Sequence, residues 1–125
     1  MKQKTTGTAR RPSPDELRDR LRRFAAQRDW EQFHTPKNLA MALTVEAAEL
    51  QECFQWLTPE QCLTLSREDR RAVEEEIADV LLYLIRLSDV LDIDMLQAAR
   101  RKLTVNARKY PVRLAKGSSR KYSKR

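Results

Sequence analysis

The sequence is organised around two apolar helical stretches, Leu39-Ala-Met-Ala-Leu-Thr-Val-Glu-Ala-Ala-Glu-Leu50 and Glu76-Ile-Ala-Asp-Val-Leu-Leu-Tyr-Leu-Ile-Arg-Leu87. Each stretch carries two acids three residues apart, Glu46 with Glu49 and Glu76 with Asp79. Residues at this spacing share one face of a helix, so each pair points in one direction. An ionised carboxylate is costly to bury unless it is paired or bound to a metal. Because the pattern predicts that these helices are the most buried, the four acids predict a site for a hard divalent cation.

The rest of the chain predicts one small all-α domain. It has 125 residues, of which 41% are hydrophobic, and only 2 are Gly and 5 are Pro. Helices are predicted over about 14–32, 37–57, 67–91 and 95–109, with a loop from 58 to 66. Ser13 and Ser66 are expected N-caps, an acid of the link Asp92-Ile-Asp94 is expected to cap the last helix, and Glu16 and Asp69 stand at capping-box positions. The predicted domain therefore covers residues 13–111, between a disordered basic tail at 1–12 and a mostly unstructured basic tail at 112–125.

The charge is concentrated in these two tails. The net charge is +7, of which residues 1–14 carry +4 and residues 112–125 carry +6, which leaves −3 for residues 15–111. Short basic tails are typical of solvated, disordered segments, although contact with nucleic acid stays open. We do not expect nucleic acid as a main partner.

Several classes of protein are disfavoured by composition. Cys53 and Cys62 are too few and too close in sequence to staple the fold, which favours a reducing compartment. There is no apolar run long enough for a membrane span and no hydrophobic signal region, so we expect a soluble cytoplasmic protein without membrane contact.

The acids define the chemistry that is available. Tyr83 continues the stripe of Glu76 and Asp79, and antiparallel packing of the two helices would let the acid pairs face each other. An all-oxygen site of this kind suits Mg²⁺ and also Mn²⁺, which bind substrate phosphates and retain water. The alternative is that the acids lie on solvated faces, as the neighbouring Glu74 and Glu75 suggest. A di-iron bundle is disfavoured because it needs ExxH pairs, and the only histidine lies outside both motifs.

Six blocks of sequence resemble the MazG-like all-α nucleotide pyrophosphohydrolases, and within them the small branch that acts on dCTP. The resemblance covers roughly residues 14–122. The blocks that carry it are Asp29-Trp-Glu-Gln-Phe-His34, Pro36-Lys-Asn-Leu39, Glu46-Ala-Ala-Glu-Leu50, Phe54-Gln-Trp56, Glu75-Glu-Ile-Ala-Asp-Val-Leu-Leu-Tyr83 and Asn106-Ala-Arg-Lys-Tyr-Pro111. The resemblance implies a protomer of four to five helices that pairs into a four-helix-bundle dimer, and a homotetramer built as a dimer of dimers. It also implies Mg²⁺ and hydrolysis of a nucleoside triphosphate to the monophosphate and pyrophosphate.

The resemblance also implies the roles of individual residues. Glu46, Glu49, Glu76 and Asp79 correspond to the metal-binding and catalytic acids of the family, and Trp30 and Trp56 to its base-stacking tryptophans. The other substrate-binding candidates lie in the matching blocks or at a basic position of the family: His34, Lys37, Asn38, Tyr83, Lys102, Asn106, Lys109 and Tyr110. One departure is Leu21, where relatives carry a histidine near the base, and it affects the expected choice of base.

We interpret the chain as an enzyme that removes dCTP, or a 5-modified dCTP, from the nucleotide pool. Within the family, dUTP and phosphoribosyl-ATP are alternative substrates. The alternative from another class is a non-enzymatic helical adaptor or RNA-binding module that uses the basic tails.

Overall fold

The computed structural model describes residues 10–124, which form six α-helices and no strand. The helices are α1 (Pro14–Gln27), α2 (Pro36–Glu52), α3 (Pro59–Cys62), α4 (Arg67–Val90), α5 (Met95–Lys109) and α6 (Val112–Ala115). Two short 3₁₀ helices cover Glu31–Phe33 and Tyr122–Lys124. The prediction of an all-α fold is confirmed, and α1, α2, α4 and α5 are the four helices expected from the sequence.

The N-caps explain where the helices begin. Side-chain oxygens of Ser13, Ser66 and Asp94 accept hydrogen bonds from backbone N–H groups three residues later, as predicted. Thr35 and Thr58 cap α2 and α3 in the same way. The Glu16 carboxylate accepts a hydrogen bond from Arg10.

Helix α1 ends five residues earlier than predicted because Asp29 adopts a left-handed conformation, with φ 54°. The N–H of Asp29 donates to the carbonyl of Ala26, and the N–H of Trp30 donates to the carbonyl of Ala25. These two bonds form a Schellman motif, which commonly has glycine at the left-handed position. Aspartate tolerates that conformation better than most residues, so α1 can end here without the glycine that usually marks such an end in a sequence.

Two other predictions of local structure were also wrong. Helix α2 ends at Glu52, and residues 53–57 continue as tighter turns instead of α-helix. The predicted loop at 58–66 contains α3, closed by a capping box between Thr58 and Gln61.

The C-terminal tail is not mostly unstructured, because α6 and the second 3₁₀ helix lie within it. The predicted N-terminal tail falls outside the described residues over 1–9.

The described residues belong to two compact units, 1–92 and 93–125. In the first unit, α4 packs against both α1 and α2. Its buried apolar side chains are Ala25, Leu39 and Ile85. The second unit contains α5, α6 and the C-terminal 3₁₀ helix. None of the helices in residues 10–124 combines the length and the apolar character that a membrane crossing requires.

Candidate active site

Three of the four predicted acids converge between α2 and α4. Glu46, Glu49 and Glu76 each offer a carboxylate oxygen, and these oxygens all lie within 4.8 Å of one another. One oxygen of Glu46 and one of Glu76 are buried without a hydrogen-bond donor among the described residues. Two acceptors that face each other in a partly buried place need a proton or a cation between them. The acids are therefore arranged as a cluster that a proton or a cation would stabilise.

The protonation of the cluster follows from this arrangement. Burial, together with the neighbouring Glu49, Glu76 and Asp79, raises the pKa of Glu46 from 4.5 to about 7. Burial is also the main reason that the pKa of Glu76 is raised, and Glu49 and Asp79 add to it. Both shifts favour the neutral carboxyl, because an ionised group would meet more negative charge in a place with little water.

A cavity of about 510 Å³ opens beside Asp79, between α1, α4 and the turn that joins α1 to α2. Its lining residues recur at helical spacing on α1 and on α4, and two more come from the turn: Leu17, Arg20, Leu21, Phe24, Trp30, His34, Asp79, Leu82, Tyr83 and Arg86. The volume lies within the range of small-molecule sites. Apolar walls with a few polar groups are also typical of such sites.

Asp79, Trp30, His34 and Tyr83 are the predicted site residues that line this cavity. The ring of Trp30 meets Phe24 edge to face at 5.7 Å between centroids, and His34 at 6.4 Å. Asp79 lies three residues from Glu76 on α4, so the cavity and the acid cluster share one helix. The structure thus brings seven of the predicted residues into one region of the first unit.

Three other candidates of the first unit are not in the cavity wall. Trp56 follows α2 and is 85% exposed. Lys37 is also exposed. The side-chain amide of Asn38 donates to the carbonyl of Phe33 at 3.0 Å, so this side chain closes the turn before α2.

The remaining candidates belong to the second unit. Lys102, Asn106 and Lys109 recur at helical spacing on α5, and Tyr110 is its C-cap. The ammonium of Lys109 lies 4.9 Å from the ring centre of Tyr122, and the rings of Tyr110 and Tyr122 meet at 5.9 Å. The C-terminal 3₁₀ helix therefore packs against the end of α5 that carries two candidates.

Sequence reasoning missed Arg86, which is buried and lines the cavity. Its Nε donates to Nδ1 of His34 at 3.0 Å, and its Nη1 lies 3.4 Å from Asp89. The available signal was that Arg86 is the single charged residue in the apolar run 80–88. A charged side chain in such a run needs a partner, but its partner, 52 residues away along the chain, could not be read from the pattern.

Comparison with known proteins identifies the family. The sequence model of the MazG-like family matches residues 41–124. This chain belongs to the MazG-like family. The dCTP pyrophosphatase 1 proteins of Bos taurus and Homo sapiens are 43% and 44% identical to it over 114 residues, which cover 90% of this chain and 68% and 67% of theirs. A pyrophosphatase from Archaeoglobus fulgidus has a crystal structure that is 47% identical, with a TM-score of 0.74, and the match covers 78% of this chain and 91% of that one.

Membership of the MazG-like family confirms the resemblance inferred from the six sequence blocks. The match of the family model includes both acid pairs, and it continues through α5. It begins after α1, so Trp30 and His34 lie outside it. The relatives named dCTP pyrophosphatase 1 match over a longer part of the chain, 114 residues.

We predict that the metal-free protein loses stability as the pH rises from about 4.5 to about 7. The unfolded chain releases the Glu46 proton near 4.5 and the folded chain near 7, so the folded state binds more protons in this window and a rising pH favours unfolding. Glu46→Gln does not titrate, and its stability should fall less across the window. The measurement is urea unfolding in the presence of a chelator at about pH 5 and about pH 8.

A control is needed because burial and Arg86 lower the pKa of His34 from 6.5, which makes stability rise with pH in part of the same window. Both proteins contain His34, so the difference between them reports on Glu46. Identical pH dependence in the two proteins would contradict the assignment of the raised pKa.

Proposed function

We propose that this chain catalyses Mg²⁺-dependent hydrolysis of dCTP, or of a 5-modified dCTP, to the monophosphate and pyrophosphate. Mn²⁺ is the second candidate metal. The single observation that carries the proposal is the set of carboxylates that converge between α2 and α4 beside a cavity of nucleotide size.

The class of reaction rests on the family and its named relatives. The chain is a nucleoside triphosphate pyrophosphohydrolase, since it is a MazG-like protein and is more than 40% identical to the dCTP pyrophosphatases of cow and man. The choice of dCTP is drawn from the names of those relatives. The alternative of a non-enzymatic adaptor has no comparable support, because neither the acid cluster nor the cavity is needed for it.

The residues present fit a hard divalent cation. Ligand oxygens around one Mg²⁺ lie about 3–4 Å apart, given metal–oxygen distances of about 2.0–2.1 Å. The oxygens of Glu46, Glu49 and Glu76, within 4.8 Å of one another, need only a small inward movement to reach that spacing. The two buried oxygens without a donor would then gain a partner. We propose that Asp79, next along α4, completes the ligand set.

A bound cation would supply charge that offsets the negative charge building on the triphosphate during hydrolysis. The protein itself supplies the other parts of the reaction. One of the four carboxylates orients the attacking water and accepts its proton as the oxygen attacks the α-phosphate. The bond from the α-phosphorus to the bridging oxygen then breaks, and pyrophosphate leaves.

The cavity walls support recognition of a planar base. Phe24 holds the ring of Trp30 from its edge, which leaves indole surface for stacking, and Trp30 is 44% exposed. Leu17, Leu21 and Leu82 line the same cavity and would give a bound base apolar contacts. We propose that Lys37, Lys102, Asn106, Lys109 and Tyr110 serve the phosphates and sugar, and that Asn38 acts by holding the turn before α2.

We propose that the chain is a homo-oligomer, built as a dimer of dimers. Helix α2 exposes Met41 and Val45, and α4 exposes Ile77, Leu81 and Leu84, each set at helical spacing. A soluble protein rarely leaves such apolar stripes uncovered. A second copy would cover them and could also receive the exposed Trp56, which supports its role at the base in an assembled protein.

The acid cluster leads to a prediction about activity. Glu49→Gln and Asp79→Asn should each remove most pyrophosphate release and leave the protein folded. Because the acids repel one another, thermal stability without Mg²⁺ should be unchanged or higher in both variants. Glu75→Gln is the matched control, since it is an exposed acid on α4 that pairs with Arg71. Near-wild-type turnover in either variant would show that the metal site is misassigned.

The stacking proposal predicts a change in KM and not in metal dependence. Trp30→Ala or Trp56→Ala should raise KM for dCTP by roughly 5- to 150-fold, because stacking on one base contributes about 1–3 kcal/mol. Inhibition by tripolyphosphate, which has no base, should stay the same. Leu21→His should sharpen discrimination between dCTP and dUTP. Unchanged KM in the Trp variants, or equal cleavage of dATP and dCTP, would refute the base pocket.

The apolar stripes predict a loss of assembly on charge insertion. Leu81→Glu should lower the mass measured by light scattering, because a charge in the covered surface is costly to desolvate. Leu63→Glu is the control, since Leu63 is 86% exposed and lies outside both helices. A monomeric wild type, or an unchanged mass for Leu81→Glu, would exclude this interface.

A further inference from the structure

The chain has a single histidine, and a chain of hydrogen bonds fixes it in the cavity wall. Arg86 donates from Nε to Nδ1 of His34 at 3.0 Å. Asp89 accepts from Arg86 at 3.4 Å and from Nε of Arg22 at 2.7 Å. Arg22 lies on α1, so this network joins α1, α4 and the turn before α2.

The direction of the bond to His34 determines where the imidazole proton lies. A guanidinium has only donors, so the ring nitrogen that faces Arg86 must present its lone pair. The proton of the neutral ring therefore lies on Nε2, which has no hydrogen-bond partner among residues 10–124. The arrangement also disfavours an imidazolium, whose second N–H would point at the guanidinium.

Arg86 is poorly suited to bind a phosphate directly. The side chains of Arg86 and Asp89 are each only 10% exposed, so the guanidinium charge is already balanced inside the protein. Asp89 has a lowered pKa because it accepts hydrogen bonds from Arg22, and it stays ionised as a fixed counter-charge. Arg86 therefore contacts the cavity as part of a fixed network.

We propose that Arg86 is a positioning residue that holds His34 as a neutral Nε2–H donor, and that this N–H donates to the acceptor edge of a pyrimidine base. The proposal deepens the proposed function and rests on it. A carbonyl oxygen or an unprotonated ring nitrogen of the base is the acceptor. Trp30, beside His34 in the same wall, offers the face on which that base lies. Selectivity then comes from the base edge, because stacking distinguishes bases poorly.

Other charged groups near the ring do not supply this positioning. Glu31, on the preceding 3₁₀ helix, favours a charged imidazole, and burial and Arg86 oppose it. Arg20 on α1 and Asp79 and Tyr83 on α4 line the same cavity. Arg86 is the one side chain that hydrogen-bonds the ring in the described part of the chain.

The first test reads the tautomer directly, independently of activity. With one histidine in the sequence, ¹⁵N NMR of the imidazole gives one unambiguous pair of signals. We expect the proton on Nε2 and a titration below 6.5 in the wild type. Arg86→Met, which keeps the apolar stem, should move the titration upward, and Arg86→Lys should restore much of the shift. A proton on Nδ1 in the wild type, or no change in Arg86→Met, would overturn the proposal.

The second test is kinetic and has a signature that a purely structural defect lacks. At about pH 8, Arg86→Met should raise KM for dCTP about three- to tenfold with kcat little changed, since a free ring can turn its donor away. The defect should shrink at about pH 5.5, because an imidazolium has an N–H on both sides. A defect in Arg86→Met that is equal at both pH values would count against positioning.

Matched variants separate this inference from the proposed function. His34→Phe should raise KM by a similar factor at all pH values, and His34→Gln, which keeps an N–H donor, should raise it less. Arg23→Met, an exposed arginine on α1, should match the wild type. Absence of dCTP hydrolysis in the wild type would refute the proposed function, and the NMR result would still decide the tautomer. Normal dCTP hydrolysis with an unchanged KM in His34→Phe would refute the donor role alone.

Discussion

The mutual repulsion of carboxylates between α2 and α4 is the constraint on which the candidate active site depends. Packing of the two helices forces Glu46, Glu49 and Glu76 together, and none of the ion pairs among residues 10–124 involves these acids. The raised pKa values of Glu46 and Glu76 are the consequence. In the proposed site, this repulsion lowers the local stability, and a cation with its bound phosphates would offset it, which is a usual cost of a preorganised site.

The C-terminal end of α4, near Asp89, shows the opposite arrangement. Asp89 is enclosed by Arg22 and Arg86, and its pKa is lowered because both guanidinium groups stabilise its charge. About three and a half helical turns separate Asp89 from Glu76, and yet Asp89 is paired with two arginines and Glu76 forms no ion pair among residues 10–124. The ion pairs of Asp89 hold α1 against α4 and help to fix His34, whereas the acids near Glu76 form no ion pair among residues 10–124. Because both lie on one rigid helix, the cavity wall keeps its place relative to the acids.

The sequence predicted those features that depend on local spacing. The acid pairs, the caps at Ser13, Ser66 and Asp94, and the four long helices all follow from periods of three to four residues. It did not predict the early end of α1, because Asp29 adopts a conformation that glycine normally marks. It also missed Arg86, whose partners His34 and Arg22 are far away in sequence. Contacts between distant residues carry no periodic signal, so they needed the folded chain.

The stop at Asp29 determines how the proposed base pocket is built. By ending α1 there, the chain turns and brings Trp30 and His34 against α1 and α4, while α2 and α4 hold the acids. In the proposed site, recognition of the base lies on a turn and on one face of α1, and the chemistry lies on two packed helices. In that proposal, a change at Leu21 in the cavity wall would alter the base that is accepted without moving a carboxylate. Such a separation would let a helical scaffold keep one hydrolytic reaction while its choice of nucleotide changes.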